Sequence, residues 1–231
     1  MANCKIKAPF FEIGPKSYLF GDDILELAIA ADRASEKYDV DVIFTCPVVD
    51  IRRVAEATKR LHVFAPHMDP IYPGRGLADT LPESLVAAGA EGVMLNHVEK
   101  PLSFAVLAET IKRADEVGLT TIVCADSMAD ASRIAGLHPD IIVAEPSELI
   151  GTGVSVGPEY VAAATDSVKN VDANILVLTA AGIAGGEDVY NTIMAGADAT
   201  GSSSGVAKAA DRPAMVDEMI SACRRAWDQR H

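Results

Sequence analysis

Long apolar runs, paired cysteines and basic charge are all scarce in this 231-residue chain. No apolar run approaches the roughly 18 residues that span a bilayer, so no membrane-crossing helix is expected. The opening stretch, Met1 to Lys7, is polar and lacks the apolar segment of a signal peptide. The cysteines Cys4, Cys46, Cys124 and Cys223 are scattered, with no C-x-x-C pair and no histidine cluster nearby. They read as isolated thiols in a reducing cytoplasm, outside any disulfide or metal framework. His62, His67 and His138 fall in different segments without ligand spacing, so neither a metal nor another cofactor is expected. Basic residues are outnumbered, 20 Lys+Arg against 33 Asp+Glu, for a formal net charge of -13. That balance argues against nucleic acid and anionic membrane surfaces as partners. It leaves room for a small anionic ligand, because backbone N–H groups can hold a phosphate locally.

What the chain does have is apolar sequence, 49% of its residues, in short runs that alternate with longer amphipathic ones. The runs that read as strands are Phe10–Ile13, Val42–Thr45, His62–Ala65, Gly92–Leu95, Thr121–Cys124, Ile141–Ala144, Leu176–Thr179 and Ala199–Gly201. Most are nearly continuous in hydrophobicity, as strands buried on both faces of a parallel sheet are. Helical spacing of apolar residues predicts helices over Asp22–Lys37, Leu102–Val117 and Glu187–Ala195, with Gly118 and Gly196 as C-terminal punctuation. Eight strand-like runs in this length leave room for one helix and two short loops per strand. No linker, Pro/Ser-rich stretch or charge block divides the chain, so residues 1–231 are expected to form one α/β domain, a (β/α)8 barrel.

In that fold the ligand site lies at the C-terminal ends of the strands. The residues that follow the strand-like runs therefore carry the chemistry. Lys16 follows the first, Asn96-His97-Val98-Glu99 the fourth, and Glu145 the sixth. Gly151, Gly182, Ser203 and Ser204 lie in turns after the sixth, seventh and eighth. Gly- and Ser-rich turns let backbone amides approach an anion, and this fold commonly places phosphate after its last two strands. A carboxylate at the rim of an apolar barrel has its charged form disfavoured by desolvation, which suits Glu145 to act as a base near neutral pH. His97 sits at a strand end where a helix is expected to begin.

These segments resemble the triosephosphate isomerase family, and most closely its short archaeal-type members. Glu145-Pro146 with Glu148-Leu149-Ile150-Gly151-Thr152-Gly153 looks like the family's catalytic glutamate and mobile loop. Asn96-His97-Val98-Glu99, Ala181-Gly182-Ile183 with Gly186-Glu187-Asp188-Val189, and Ser203-Ser204-Gly205-Val206 with Lys208-Ala209 are similar to its fourth-, seventh- and eighth-strand segments. The resemblance runs from about Phe11 to Pro213. It implies an aldose–ketose isomerase acting on a small phosphorylated sugar, most simply dihydroxyacetone phosphate and glyceraldehyde 3-phosphate. Glu145 would take the proton, His97 would polarise the carbonyl, and Lys16 would supply positive charge. Amides of Gly151, Gly182, Ser203 and Ser204 would hold phosphate under the closing loop Pro146–Gly153. A homodimer or homotetramer is implied as well.

The chain departs from the family pattern in three places. Gly14 holds the Asn position of Asn-x-Lys, Val98 the Ser of His-Ser-Glu, and Arg75-Gly76-Leu77-Ala78-Asp79 the Thr-Gly loop that reaches a partner subunit. Gly14 opens room for a longer substrate such as a tetrulose phosphate, with Glu12 and Tyr18 flanking the change. Two further readings stay open: a non-catalytic barrel that binds a phosphorylated ligand, and a dinucleotide enzyme. Gly151-Thr152-Gly153 begins like a dinucleotide fingerprint, but the spacing to Gly157 is one residue too long.

Overall fold

A computed structural model describes residues 5–231, which leaves Cys4 outside the described residues. The strands are β1 (Phe10–Ile13), β2 (Asp41–Thr45), β3 (Leu61–Ala65), β4 (Gly92–Leu95), β5 (Thr120–Ala125), β6 (Ile141–Ala144), β7 (Leu176–Thr179) and β8 (Ala199–Ser202). All neighbours pair in parallel, and Phe10↔Ala199 through Ile13↔Ser202 joins β1 to β8 and closes the barrel. The helices are α1 (Asp22–Tyr38), α2 (Ile51–Ala57), α3 (Pro82–Ala88), α4 (Phe104–Val117), α5 (Met128–Ala135), α6 (Pro158–Lys169), α7 (Gly186–Met194), α8 (Ser204–Ala207) and α9 (Arg212–Arg230). The (β/α)8 expectation holds.

Period-two alternation along each strand divides the apolar residues between two cores. Phe10, Ile43, Phe64, Ile122, Ile141 and Leu178 fill the barrel interior. Phe11, Ile13, Val42, Phe44, Val123 and Val177 face the helices. Both sets are buried, which is why the strands read as continuous apolar runs. The interior is a packed layer: a Cβ on Gly92 would meet the Phe64 ring at 2.3 Å. The last helix, α9, packs between α1 and α7 and completes the outer ring.

Local signals set the helix ends with small differences from expectation. Gly118 caps α4 in the left-handed region, φ 79°, as its position predicted. Ala195, not Gly196, caps α7; Gly196 follows at φ 119°. At its other end α4 starts at Phe104 rather than Leu102, because the Ser103 hydroxyl accepts from the Val106 N–H and acts as the N-cap.

The long loop after β3 is pinned from two sides. Asp69 accepts from the Thr80 N–H at 2.7 Å and pairs with His67 at 3.1 Å. The buried Arg113 donates to the Ile71 carbonyl at 2.9 Å, pairs with Glu83, and lies over the Tyr72 ring. The His67–Asp69 pair thus helps hold the loop, while His67 also lines the cavity at the strand ends. Among the described residues no helix is long and apolar enough to cross a membrane.

Candidate active site

One cavity of about 490 Å³ opens at the C-terminal ends of the strands. Lys16, His97, Glu145, Gly151, Gly182, Ser203 and Ser204, drawn from five different strand ends, all line it. Such convergence of a few polar groups on a largely apolar cleft is what a small-molecule site requires.

Lys16 leaves β1 in the left-handed region, φ 48°, an unusual backbone for a lysine. Its Nζ donates to Glu99 Oε1 at 3.3 Å, and its side chain is 23% exposed. Lys16 lines the cavity, with its ammonium held by Glu99 at the exposed rim.

His97 lies in a tight turn, not at a helix N-terminus as expected, since α4 begins seven residues later. The turn is closed by the Lys100 N–H donating to the His97 carbonyl at 2.7 Å. Asn96, at φ 58°, braces it by donating to the Cys124 carbonyl and accepting from the Leu102 N–H, both at 3.0 Å. The Glu99 N–H donates to His97 Nδ1 at 3.1 Å, so Nδ1 is the acceptor and Nε2 carries the proton. Burial depresses the His97 pKa, and Lys16 depresses it further against the opposing charges of Glu99 and Asp126. The imidazole is therefore neutral, for a reason other than a helix dipole.

Glu145 follows β6 directly, and its N–H donates to the Ala125 carbonyl at 3.1 Å. Burial pushes its pKa up to about 7. Lys16 and the Ala181 backbone pull it down, while Asp126 and Glu99 push it up. A carboxyl poised near neutrality suits proton transfer.

The segment after Glu145 makes one 3-10 turn over Ser147–Leu149 and continues through Gly151 and Gly153, at φ 74° and 75°. Ser155 ties its far end to Asp188 at 3.0 Å, and Asp188 also accepts from the Ala184 N–H at 2.9 Å. Gly182 (φ 70°) faces the same segment so closely that a Cβ would stand 2.0 Å from the Val154 carbonyl oxygen. Across the mouth, α8 starts at Ser204, and the Ala207 N–H donates back to the Ser203 carbonyl at 2.9 Å. Among the departures from the family pattern, Val98 is 39% exposed and does not line the cavity.

The structure also brings Glu12 into the cavity wall, at 7% exposure. A Cβ on Gly14 would lie 3.0 Å from Glu12 Oε1. The glutamate thus fills space that a side chain at position 14 would take. Burial pushes the Glu12 pKa up to about 7; the nearby Thr45 hydroxyl opposes this, the charge of Glu145 adds to it, and Lys16 opposes it. The sequence flagged Glu12 only as a neighbour of Gly14, since a lone acid in Phe10-Phe11-Glu12-Ile13 does not reveal which face it takes.

A sequence model of the family described as triosephosphate isomerase matches residues 19–222. The chain belongs to the triosephosphate isomerase family. It is similar to the triosephosphate isomerase of Saccharolobus solfataricus, 35% identical over 226 residues that cover 96% of this chain and 99% of that protein. The Sulfolobus acidocaldarius enzyme is 33% identical, covering 97% and 99%. That of Methanothermus fervidus is 35% identical, covering 87% and 91%. All three relatives are archaeal, in line with the archaeal-type resemblance of the motifs. Within the family, a neutral histidine as electrophile beside a glutamate base is the reference pairing.

Proposed function

We propose that the protein interconverts dihydroxyacetone phosphate and glyceraldehyde 3-phosphate by proton transfer through an enediolate. The observation that carries this reading is the meeting of Glu145, His97 and Lys16 in one cavity with the Gly/Ser turns. In the reaction, ionised Glu145 removes the proton from the carbon beside the carbonyl and returns it to the neighbouring carbon. His97 Nε2–H donates to the carbonyl oxygen and shuttles a proton between the two oxygens, so no proton is gained or lost overall. Lys16 stabilises the negative charge that develops on the enediolate. Amides of Gly151, Gly182, Ser203 and Ser204 hold the phosphate, and the segment Pro146–Gly153 closes over the substrate to exclude water. A binding-only barrel would need phosphate contacts but no base, so the poised Glu145 favours catalysis.

The test is turnover of dihydroxyacetone phosphate, coupled to an NAD-linked dehydrogenase, with Glu145→Gln alongside. A kcat/KM above about 10⁶ M⁻¹s⁻¹, lost in the variant, is expected. Equal rates for the two proteins would remove Glu145 from the base role. The same reading carries a cytoplasmic homodimer or homotetramer. Its support is the exposure of Phe20, Val49, Tyr72 and Leu77 on the loops after β1, β2 and β3. Light scattering on the purified chain reads the assembly; a monomer at micromolar concentration would count against it.

A further inference from the structure

The machinery just assigned leaves one part of the cavity unused. Among the described residues, Glu12 Oε1 and Thr45 Oγ1 are buried polar atoms without a hydrogen-bond partner, and both belong to residues that line the cavity. The other buried polar atoms left unpaired, on Glu83, Thr165, Thr179 and Arg224, belong to residues that do not line it. Glu12 lies on β1 and Thr45 on the adjacent strand β2, near the same end of the barrel. They are neighbours, close enough for the Thr45 hydroxyl to favour the Glu12 carboxylate, but without a hydrogen bond of ordinary geometry between them.

Leaving a buried acceptor unpaired is costly, so such atoms are rare in folded proteins and mark places where something else belongs. The surroundings are shaped to keep this pair. A Cβ on Gly14 would lie 3.0 Å from Glu12 Oε1, and one on Gly201 would lie 3.0 Å from Oε2 and 2.9 Å from the Glu12 Cβ. Glycine at position 14 leaves room for the carboxyl, whereas a Cβ on Gly201 would first meet the Glu12 carbonyl oxygen, at 2.8 Å, so that glycine accommodates the β1 backbone as well as the side chain. Thr45 and Gly201 line the cavity together with Glu12.

A triose phosphate has one carbonyl, one hydroxyl and one phosphate. Under the proposed function His97, Lys16 and the amide nest already serve all three. An additional unpaired carboxyl and hydroxyl have no partner on so small a molecule. They match a substrate with another hydroxyl-bearing carbon, because that hydroxyl can donate to Glu12 and accept from Thr45.

We propose that Glu12 and Thr45 form a hydroxyl-binding subsite that lets this protein isomerise a phosphorylated ketose one carbon longer than a triose phosphate. The chemistry is unchanged: Glu145 moves a proton between adjacent carbons through an enediolate, and no co-reactant is needed. The subsite rests on the proposed isomerase reading and extends its substrate class. A site built to hydrogen-bond a hydroxyl discriminates strongly, since the analogue lacking it leaves buried polar groups unpaired.

The experiment measures kcat/KM for dihydroxyacetone phosphate and for tetrulose 1- and 4-phosphate, using the full chain and two variants, Glu12→Leu and Thr45→Val. At least one tetrulose phosphate is expected to turn over. Its kcat/KM relative to that of the triose is expected to fall tenfold or more in each variant that folds. Thr45→Val removes one hydroxyl at nearly constant volume, so it remains informative if Glu12→Leu does not fold. Absence of tetrulose phosphate turnover in the unaltered protein, or a smaller change in the ratio, would overturn the subsite. The two readings fail separately. Triose turnover with an unmoved ratio sinks the subsite alone. Tetrulose turnover that depends on Glu12, without triose turnover, sinks the triose assignment and leaves the subsite standing.

Discussion

The contact between Gly182 and the segment after Glu145 can be tested by adding a single carbon. In Gly182→Ala the new Cβ would sit 2.0 Å from the Val154 carbonyl oxygen and 2.7 Å from the Ser155 nitrogen. Ordinary contact starts near 3.4 Å, so backbone must separate by about 1.4 Å. The obstacle is main chain on both sides, and no side-chain rotation relieves it. Position 182 is also in the left-handed region, φ 70°, where an L residue costs about 1–2 kcal/mol. For a chain of this size each kcal/mol lowers Tm by about 2–4 °C, so a fall of about 2–8 °C is expected. The kinetic effect should be larger. Val154 and Ser155 directly follow the segment Pro146–Gly153 that is expected to close on the substrate, and a displacement near 1 Å can cost about 100-fold in rate. Coupled assays at pH 8 and calorimetry on the same preparations read both numbers. Activity within threefold of the parent, with a normal Tm, would show that this close approach does not position the closing segment.

Other consequences are equally direct. Because Glu145 must be ionised to act and its pKa is raised to about 7, kcat/KM should rise with pH through about 7 and then level; a flat profile from pH 6 to 8 would contradict this. The apparent value belongs to the coupled carboxyls, Glu12 included. Glu12, raised from 4.5 to about 7 by burial, opposes folding once it must ionise: it withdraws stability as pH climbs from about 4.5 to 7. Glu12→Gln should therefore gain about 3 kcal/mol relative to the parent between pH 4 and pH 8; denaturant titrations at the two pH values that show a constant difference would refute it. His62 also loses stability as pH rises, but there the charged form is the one the fold favours. Burial lowers its pKa, but Asp41 and Glu91 outweigh that and raise it to about 9. Its ion pairs, His62 Nδ1 to Glu91 at 3.0 Å among them, stabilise fully below about pH 6.5 and lose that contribution through pH 9, by roughly 1–2 kcal/mol after solvent screening. His62→Gln should remove this decline, and an unchanged pH dependence of Tm would count against it.

Much of this molecule was decided by residue order alone. The strands showed as short continuous apolar runs because each is buried on both faces, interior and helix-facing. Lys16, His97, Glu145 and the glycine and serine turns could be singled out because they come directly after such runs, where the fold opens its site. The helices α2, α3, α5, α6, α8 and α9 were not placed individually. The first two and α5 are no longer than eight residues, too short for periodicity to declare them.

Other features exist only in three dimensions. Residue order suggested a helix start at His97, but an Asn96 brace and an amide from Glu99 make a turn there instead. The imidazole's neutrality then comes from burial and Lys16. Residue order marks Gly182 as a turn at a strand end, but not that Val154, distant in sequence, passes against it. Glu12 is the strongest case. Alternation says that it shares a face with Phe10, but in a strand apolar on both faces nothing local says which face is the interior. Only pairing of β1 with both β2 and β8 turns that face inward and brings Glu12 beside Thr45, Gly14 and Gly201. Closure of the barrel is a long-range event, and it decides what each inward side chain meets.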